Sequence, residues 1–156
     1  MTSHKSFRLS AGAIAFDGGK LLLVRHGGPR HGHDFLVPPG GGVEGIESIP
    51  QAAVRETREE TGLDVSPGKL LFIEDMISSR KRVVKFWFLC SLIGGELFVP
   101  REAANEGIVA ADWFSVKDLA NQTVYPSILL EANWTEFYDR AWQTKYIENR
   151  DSDGSF

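Results

Sequence analysis

The sequence predicts an α/β or α+β sandwich, with helices laid against one β-sheet, and three observations predict it. Apolar runs with a two-residue period alternate along the chain with runs of helical period. Glycine- and proline-rich turn signals separate them. The 156 residues, 42% hydrophobic and 24% charged, have the size and makeup of one globular domain. A chain of this length buries enough surface to fold without disulfides or a structural metal.

The elements follow in order. Arg8 to Phe16 alternates Ala11, Ala13 and Ala15 against Ile14 and Phe16, the pattern of a strand. Asp17-Gly18-Gly19 is a hairpin turn, and Lys20 to Arg25 returns as the second strand. A polar loop from His26 to Asp34 leads into the short apolar stretch Phe35-Leu36-Val37. Pro38-Pro39-Gly40-Gly41-Gly42 is expected to be irregular. A helix is expected over residues 49–61. Ser48 caps it, Gln51 completes a capping box, Pro50 sits in the tolerant first turn, and Gly62 supplies the left-handed stop. Strands are expected at Lys69 to Met76, Arg82 to Leu92 and Ile108 to Phe114, with Gly94-Gly95 as a turn. Ser115 to Leu119 reads as a short capped helix and Pro126 to Gln143 as a longer one, from the spacing of Ile128, Leu129, Ala132, Phe137 and Trp142. One domain over residues 1–148 is expected, with a disordered polar tail at 149–156.

Seventeen basic against 21 acidic residues leave a net charge of −4, which disfavours binding to extended nucleic acid. A small anionic ligand remains compatible, because a metal ion supplies positive charge locally. The single cysteine, Cys90, excludes an intrachain disulfide and a cysteine-cluster zinc site, and fits a reducing cytoplasm. The first residues lack the apolar core of a signal peptide. Apolar runs such as Leu21-Leu22-Leu23-Val24 fall far short of a membrane span.

The helix at 49–61 carries its acids on an unexpected face. Taking about 100° per residue, Glu56 and Glu60 fall within about 20° of Ile49, and Glu59 about 80° from it. Arg55, Arg58 and Gln51 fall on the opposite side. The carboxylates therefore share the apolar stripe that should face inward. Like charges three and four residues apart repel, and more so when buried, so something must offset them. A divalent cation with oxygen ligands is the simplest candidate, and Arg55 is spaced to hold Glu59. A glutamate-rich solvated face without function is the competing reading.

Gly41, Glu47, Arg55-Glu56, Glu59-Glu60 and Gly62-Leu63 resemble the signature of the Nudix family of nucleoside-diphosphate-linked hydrolases. All seven fixed positions of that signature match, and Thr57 stands where it asks for an aliphatic residue. The resemblance implies an α/β/α sandwich around a mixed sheet. It implies Glu56, Glu59 and Glu60, with the Gly41 carbonyl, as ligands of Mg²⁺, with Mn²⁺ as the alternative. Glu47 and Arg55 are implied as an ion pair bracing the loop against the helix. Gly40 and Gly42 would let backbone approach the diphosphate. The implied reaction is attack of water on a phosphorus of a diphosphate linkage. Its general base is Glu56 or Glu60, with Glu106 as the loop alternative and Glu102 as a weaker one. The expected partner is a small phosphorylated substrate and no membrane; a homodimer is left open.

Other residues divide between roles. Arg25 and Arg30, in a loop shared with His26, His31 and His33, read either as substrate contacts or as an ordinary polar loop. Phe86, Trp87 and Phe88 read as core before they read as a stacking platform. Arg8, Lys81 and Arg82 are weaker phosphate candidates, and Cys90 reads as a buried small residue. Marks of the ADP-ribose, dinucleoside-polyphosphate, coenzyme A and NADH subgroups are absent outside the signature. A binding domain that has lost catalysis is the alternative function. A diphosphate isomerase of the same fold is a third, lacking a suitably placed cysteine.

Overall fold

A computed structural model describes residues 5–27 and 34–151. Eight strands form one mixed sheet. They are β1 (Ser6–Asp17), β2 (Lys20–His26), β3 (Phe35–Val37), β4 (Gly40–Gly42), β5 (Leu63–Ser78), β6 (Lys81–Gly95), β7 (Ile108–Phe114) and β8 (Lys145–Asp151). The order β3-β2-β1-β6-β5-β8 has β4 added on β1 and β7 on β2. The β1·β6 and β5·β8 pairs are parallel, and the others antiparallel.

Helix α1 (Ile49–Thr61) forms where its local signals place it. The Ser48 side chain accepts from Gln51 N–H, Gln51 returns the bond to Ser48 N–H, and Gly62 closes the helix at φ 74°. It packs on the alanine side of β1. Ala52 and Ala53 meet Ala11, Ala13 and Ala15, with Leu22, Leu63, Val65 and Phe88 completing that core. Small residues on both surfaces bring the helix close to the sheet. The opposite face holds the larger core of Ile14, Phe72, Trp87, Leu89, Leu129, Trp134 and Phe137.

Four expectations need correction. The glycine run at 40–42 is a strand, with Gly40, Gly41 and Gly42 opposite Gly12, Ala11 and Ser10. The expected helix from Pro126 to Gln143 is instead one α-turn, α2 (Ile128–Glu131), and a 3₁₀ segment, Trp134–Tyr138. The Asn133 side chain caps the second piece by accepting from Thr135 N–H, which breaks the helix that the apolar spacing suggested. Those apolar residues still face the sheet, so the third layer of the sandwich is built of single turns. Of the tail expected at 149–156, residues 149–151 belong to β8, which runs through Asp151 beside Ser78, and the remainder lies outside the described residues. Strand β5 begins at Leu63, six residues before the expected start, with register shifts at Pro67 and Leu70. Among the described residues no helix is long and apolar enough to cross a membrane.

Candidate active site

Three structures converge on one spot: the inner face of α1, the glycine strand β4, and the 3₁₀ segment Arg101–Glu106. Glu56 and Glu60 are 4% and 2% exposed, as their place on the apolar stripe requires. Glu59, at the edge of that stripe, is exposed. Single oxygens of Glu56, Glu60 and Glu106 all lie within 4.8 Å of one another. Glu106 is the exposed member, closing its 3₁₀ segment just before Gly107. A cleft of about 370 Å³, lined by Glu59, Pro100, Glu102, Ala103 and Glu106, opens beside the cluster.

The glycines of β4 fit these acids closely. Gly40 N–H donates to Glu60 Oε2 at 3.3 Å. A Cβ on Gly41 would stand 2.5 Å from Glu56 Cδ, so only glycine leaves that carboxylate its place. Glu56 Oε2 is buried and accepts no hydrogen bond among the described residues. A buried carboxylate oxygen without a partner costs stability unless something binds it. Burial first, then repulsion from Glu106, raises the Glu56 carboxyl above the ordinary carboxylate range. Glu60 is raised well above it, mainly by burial, with Lys85 opposing and Glu56 and Glu106 adding. Hard oxygen donors, clustered charge and an orphaned oxygen make Glu56, Glu60 and Glu106 a group that could hold a divalent cation.

Arg55 braces this arrangement. Its Nη2 donates to Gly42 O and to Glu47 Oε1, both at 2.8 Å, and Nε donates to Glu47 Oε2 at 3.0 Å. Nη1 reaches Glu56 Oε1 at 3.0 Å and Glu59 Oε2 at 3.1 Å. The Glu47–Arg55 pair is thus bidentate, and Arg55 and the Glu44 N–H hold the Glu47 carboxyl below its usual range. Thr57, fully buried, satisfies its hydroxyl by donating to Ala53 O at 2.7 Å, so the departure from an aliphatic residue costs the helix little.

The remaining candidates separate. Arg25 does not join the carboxylates; both terminal nitrogens reach Gln122 Oε1 at 3.5 Å. Arg30, His31 and His33 lie outside the described residues. His26 stacks on Phe35, 4.9 Å between ring centroids. Arg82 is engaged bidentately by Asp75, which also accepts from Tyr146. Trp87 and Phe88 are core and Phe86 is half-buried against it. Burial pushes the Cys90 thiol up to about 12, which removes it from nucleophilic chemistry.

Two residues at the site escape a reading of the sequence. Lys85, on β6, lies beneath Gly40 and faces Glu60. Its neighbour Glu74, on β5, is 4% exposed. Glu74 accepts from Trp87 Nε1 at 3.0 Å and from Asn149 Nδ2 at 2.6 Å. Only strand register brings these positions together. The charged residues interrupting two apolar strands were the one available signal.

A family model for the NUDIX domain matches residues 6–131. The chain belongs to the Nudix family. It is 33% identical over 113 residues to an 8-oxo-dGDP phosphatase of Danio rerio, covering 72% of this chain and 34% of that protein. It is 34% identical over 110 residues to an ADP-ribose pyrophosphatase of Methanocaldococcus jannaschii, covering 69% of this chain and 61% of that one. The Nudix chain therefore spans less than two thirds of the length of either relative. A crystal structure of an ADP-ribose pyrophosphatase from Streptococcus suis superposes with TM-score 0.67 at 26% identity, over 89% of this chain and 98% of that one.

Proposed function

We propose that this Nudix domain hydrolyses a diphosphate linkage in a nucleoside di- or triphosphate or another nucleoside-diphosphate-linked compound. The convergence of Glu56, Glu60 and Glu106, with one Glu56 oxygen unpartnered, carries the reading. Glu56 and Glu60, with Glu59 and the Gly41 carbonyl at the margin, are the residues to hold Mg²⁺ or Mn²⁺. Such an ion supplies charge neutralisation at phosphate oxygens and a more acidic bound water. Arg55 fixes the Glu56 carboxylate and ties the glycine strand to the helix through Gly42 O. Glu106, exposed at the cleft, is free to take a proton from the attacking water, while the buried pair remains with the cation. Substrates named for the relatives, an oxidised guanine nucleotide and ADP-ribose, have a purine nucleoside diphosphate in common, and both belong in the test set. The reducing cytoplasm is part of the same proposal.

The test is a panel of nucleotides, 8-oxo-dGDP, ADP-ribose, nucleotide sugars and dinucleotides with Mg²⁺. At least one is cleaved, and Glu60→Gln abolishes that cleavage with an unchanged far-UV spectrum. No turnover on the panel, together with tight binding of one compound, favours the alternative, a catalytically silent nucleotide-binding domain.

A further inference from the structure

The cluster just described is wholly acidic on the α1 side of β4, yet the other side of the same strand is basic. On β1, side chains alternate between faces, so Arg8, Ser10 and Gly12 share the face turned away from α1. Parallel register puts Ser10 beside Lys85 and Gly12 beside Trp87. Antiparallel register puts Ser10 beside Gly42 and Gly12 beside Gly40. The close contacts agree with this. A Cβ on Gly42 would stand 2.7 Å from Arg8 Cζ, and one on Gly40 would stand 3.0 Å from Lys85 Cε. The two cations therefore lie directly along a strand with no side chains. Gly40 and Gly42 border them, and Gly41 between turns to Glu56.

These donors are uncommitted. Among the described residues Arg8 makes no ion pair or hydrogen bond, and neither does the hydroxyl of Ser10, which is 5% exposed. Lys85 Nζ sits 4.2 Å from the Trp87 ring centroid and, among the described residues, forms no ion pair with a carboxylate. Among the described residues, Glu60, Glu74 and Glu56 attract Lys85, and Arg8 repels it. Glu74 is the obvious counter-ion, but its two oxygens are already taken by Trp87 and Asn149. Two neighbouring cations without a carboxylate within 4 Å, plus an unengaged hydroxyl, call for an anion with several acceptor oxygens.

We infer that Arg8, Ser10 and Lys85 form a seat for phosphoryl oxygens, holding the second phosphate of a diphosphate whose first phosphate lies at the Glu56–Glu60–Glu106 cluster. The inference rests on the hydrolase reading for the identity of the ligand. It then adds a requirement: the substrate lies across the glycine strand, with metal ligands at one phosphate and protein cations at the other. A monophosphate fills only half of this arrangement, so the pair selects for a diphosphate.

The probe is methylenediphosphonate, whose bridging carbon resists hydrolysis, titrated calorimetrically with Mg²⁺ present. Mn²⁺ affinity is measured separately by electron paramagnetic resonance, so that metal and anion sites are read independently. Lys85→Met and Arg8→Gln each weaken methylenediphosphonate by about tenfold or more, the scale of one charge-assisted hydrogen bond, without weakening Mn²⁺. Lys85→Arg retains most of the affinity. In wild-type protein, amide shifts at Ser10 and Gly42 move on adding the probe, a readout independent of any variant's folding. The inference is overturned if Lys85→Met and Arg8→Gln bind the probe as wild type does, if Mn²⁺ affinity falls in parallel, or if Ser10 and Gly42 do not respond. If the nucleotide panel shows no turnover but these effects appear, the seat stands and the hydrolase reading falls.

Discussion

Gly41→Ala is the sharpest perturbation of the carboxylate cluster. The added methyl would stand 2.5 Å from Glu56 Cδ, where ordinary contact begins at 3.4 Å, so about 0.9 Å of movement must be found. Gly41 is paired with Ala11 across the β1·β4 ladder, so the strand cannot easily yield. The Glu56 carboxylate must move instead, away from a pocket in which it is 4% exposed and bonded to Arg55 at 3.0 Å. A displacement near 1 Å at a reacting centre costs on the order of 100-fold. We expect Gly41→Ala to lower turnover of the best panel substrate by about 100-fold and to weaken Mn²⁺ binding by at least about tenfold. Turnover assays and Mn²⁺ titration by electron paramagnetic resonance measure the two losses. Gly42→Ala is the control, because its methyl meets the free end of the exposed Arg8 side chain, which can swing away; Mn²⁺ binding there stays as in wild type. If Gly41→Ala binds Mn²⁺ and turns over like wild type, the close fit between Gly41 and Glu56 has no role in the site.

Three further outcomes follow from the same geometry. Arg55→Ala strips the partners from Glu47, Glu56 and Glu59 and from Gly42 O. It should destabilise by roughly 2–4 kcal/mol in urea unfolding, the lower end reflecting an arginine still 24% exposed. Asn149→Ala leaves Glu74 Oε2 buried without its donor, for a loss of about 1–3 kcal/mol by the same assay; no loss would mean that β8 does not hold that carboxylate. Glu56 and Glu60 are raised in the fold, so their contribution to stability is full below their ordinary value of 4.5 and is lost as pH rises through the raised values. Asp75, held down to about 2 by Arg82, works in the opposite sense, its contribution being lost only as pH falls toward 2. Metal-free protein should therefore melt at a lower temperature at pH 8 than at pH 5.5. Glu60→Gln should flatten that difference, and Mg²⁺ should restore the wild-type value at pH 8.

Local signals in the sequence reached some elements and not others. Helix α1 was readable to the residue because Ser48, Gln51, Pro50 and Gly62 act within a few positions of one another. Glu56 and Glu60 were readable with it, since helical period alone puts them on the buried stripe. The glycine strand was not, because glycines carry no strand propensity and β4 exists only through its pairing with β1. Residues 126–143 show the converse: Leu129, Trp134 and Phe137 have helix-like spacing, but they serve equally as anchors for short turns crossing the sheet. Strand β8 is mostly charged and polar, with Tyr146 and Ile147 as its only apolar residues, and is held by a parallel ladder to β5, a partner 73 residues earlier. Lys85 and Glu74 were hidden for the same reason, since neither belongs to a motif and only register makes them neighbours.

The parallel ladder between β1 and β6 has a kinetic side. Ser6 pairs with Lys81 and Ala15 with Cys90, so each residue of β1 waits for a partner 75 positions later. On the ribosome, β1 and α1 emerge long before β6, the parallel partner of β1. Closing so long a loop is entropically costly before any contact rewards it. Until β6 arrives, the apolar face of β1 and its open edge are exposed to chaperones and to other nascent chains. The acids of α1 and Lys85 of β6 thus meet only once β6 has joined β1, so their juxtaposition reports formation of that ladder.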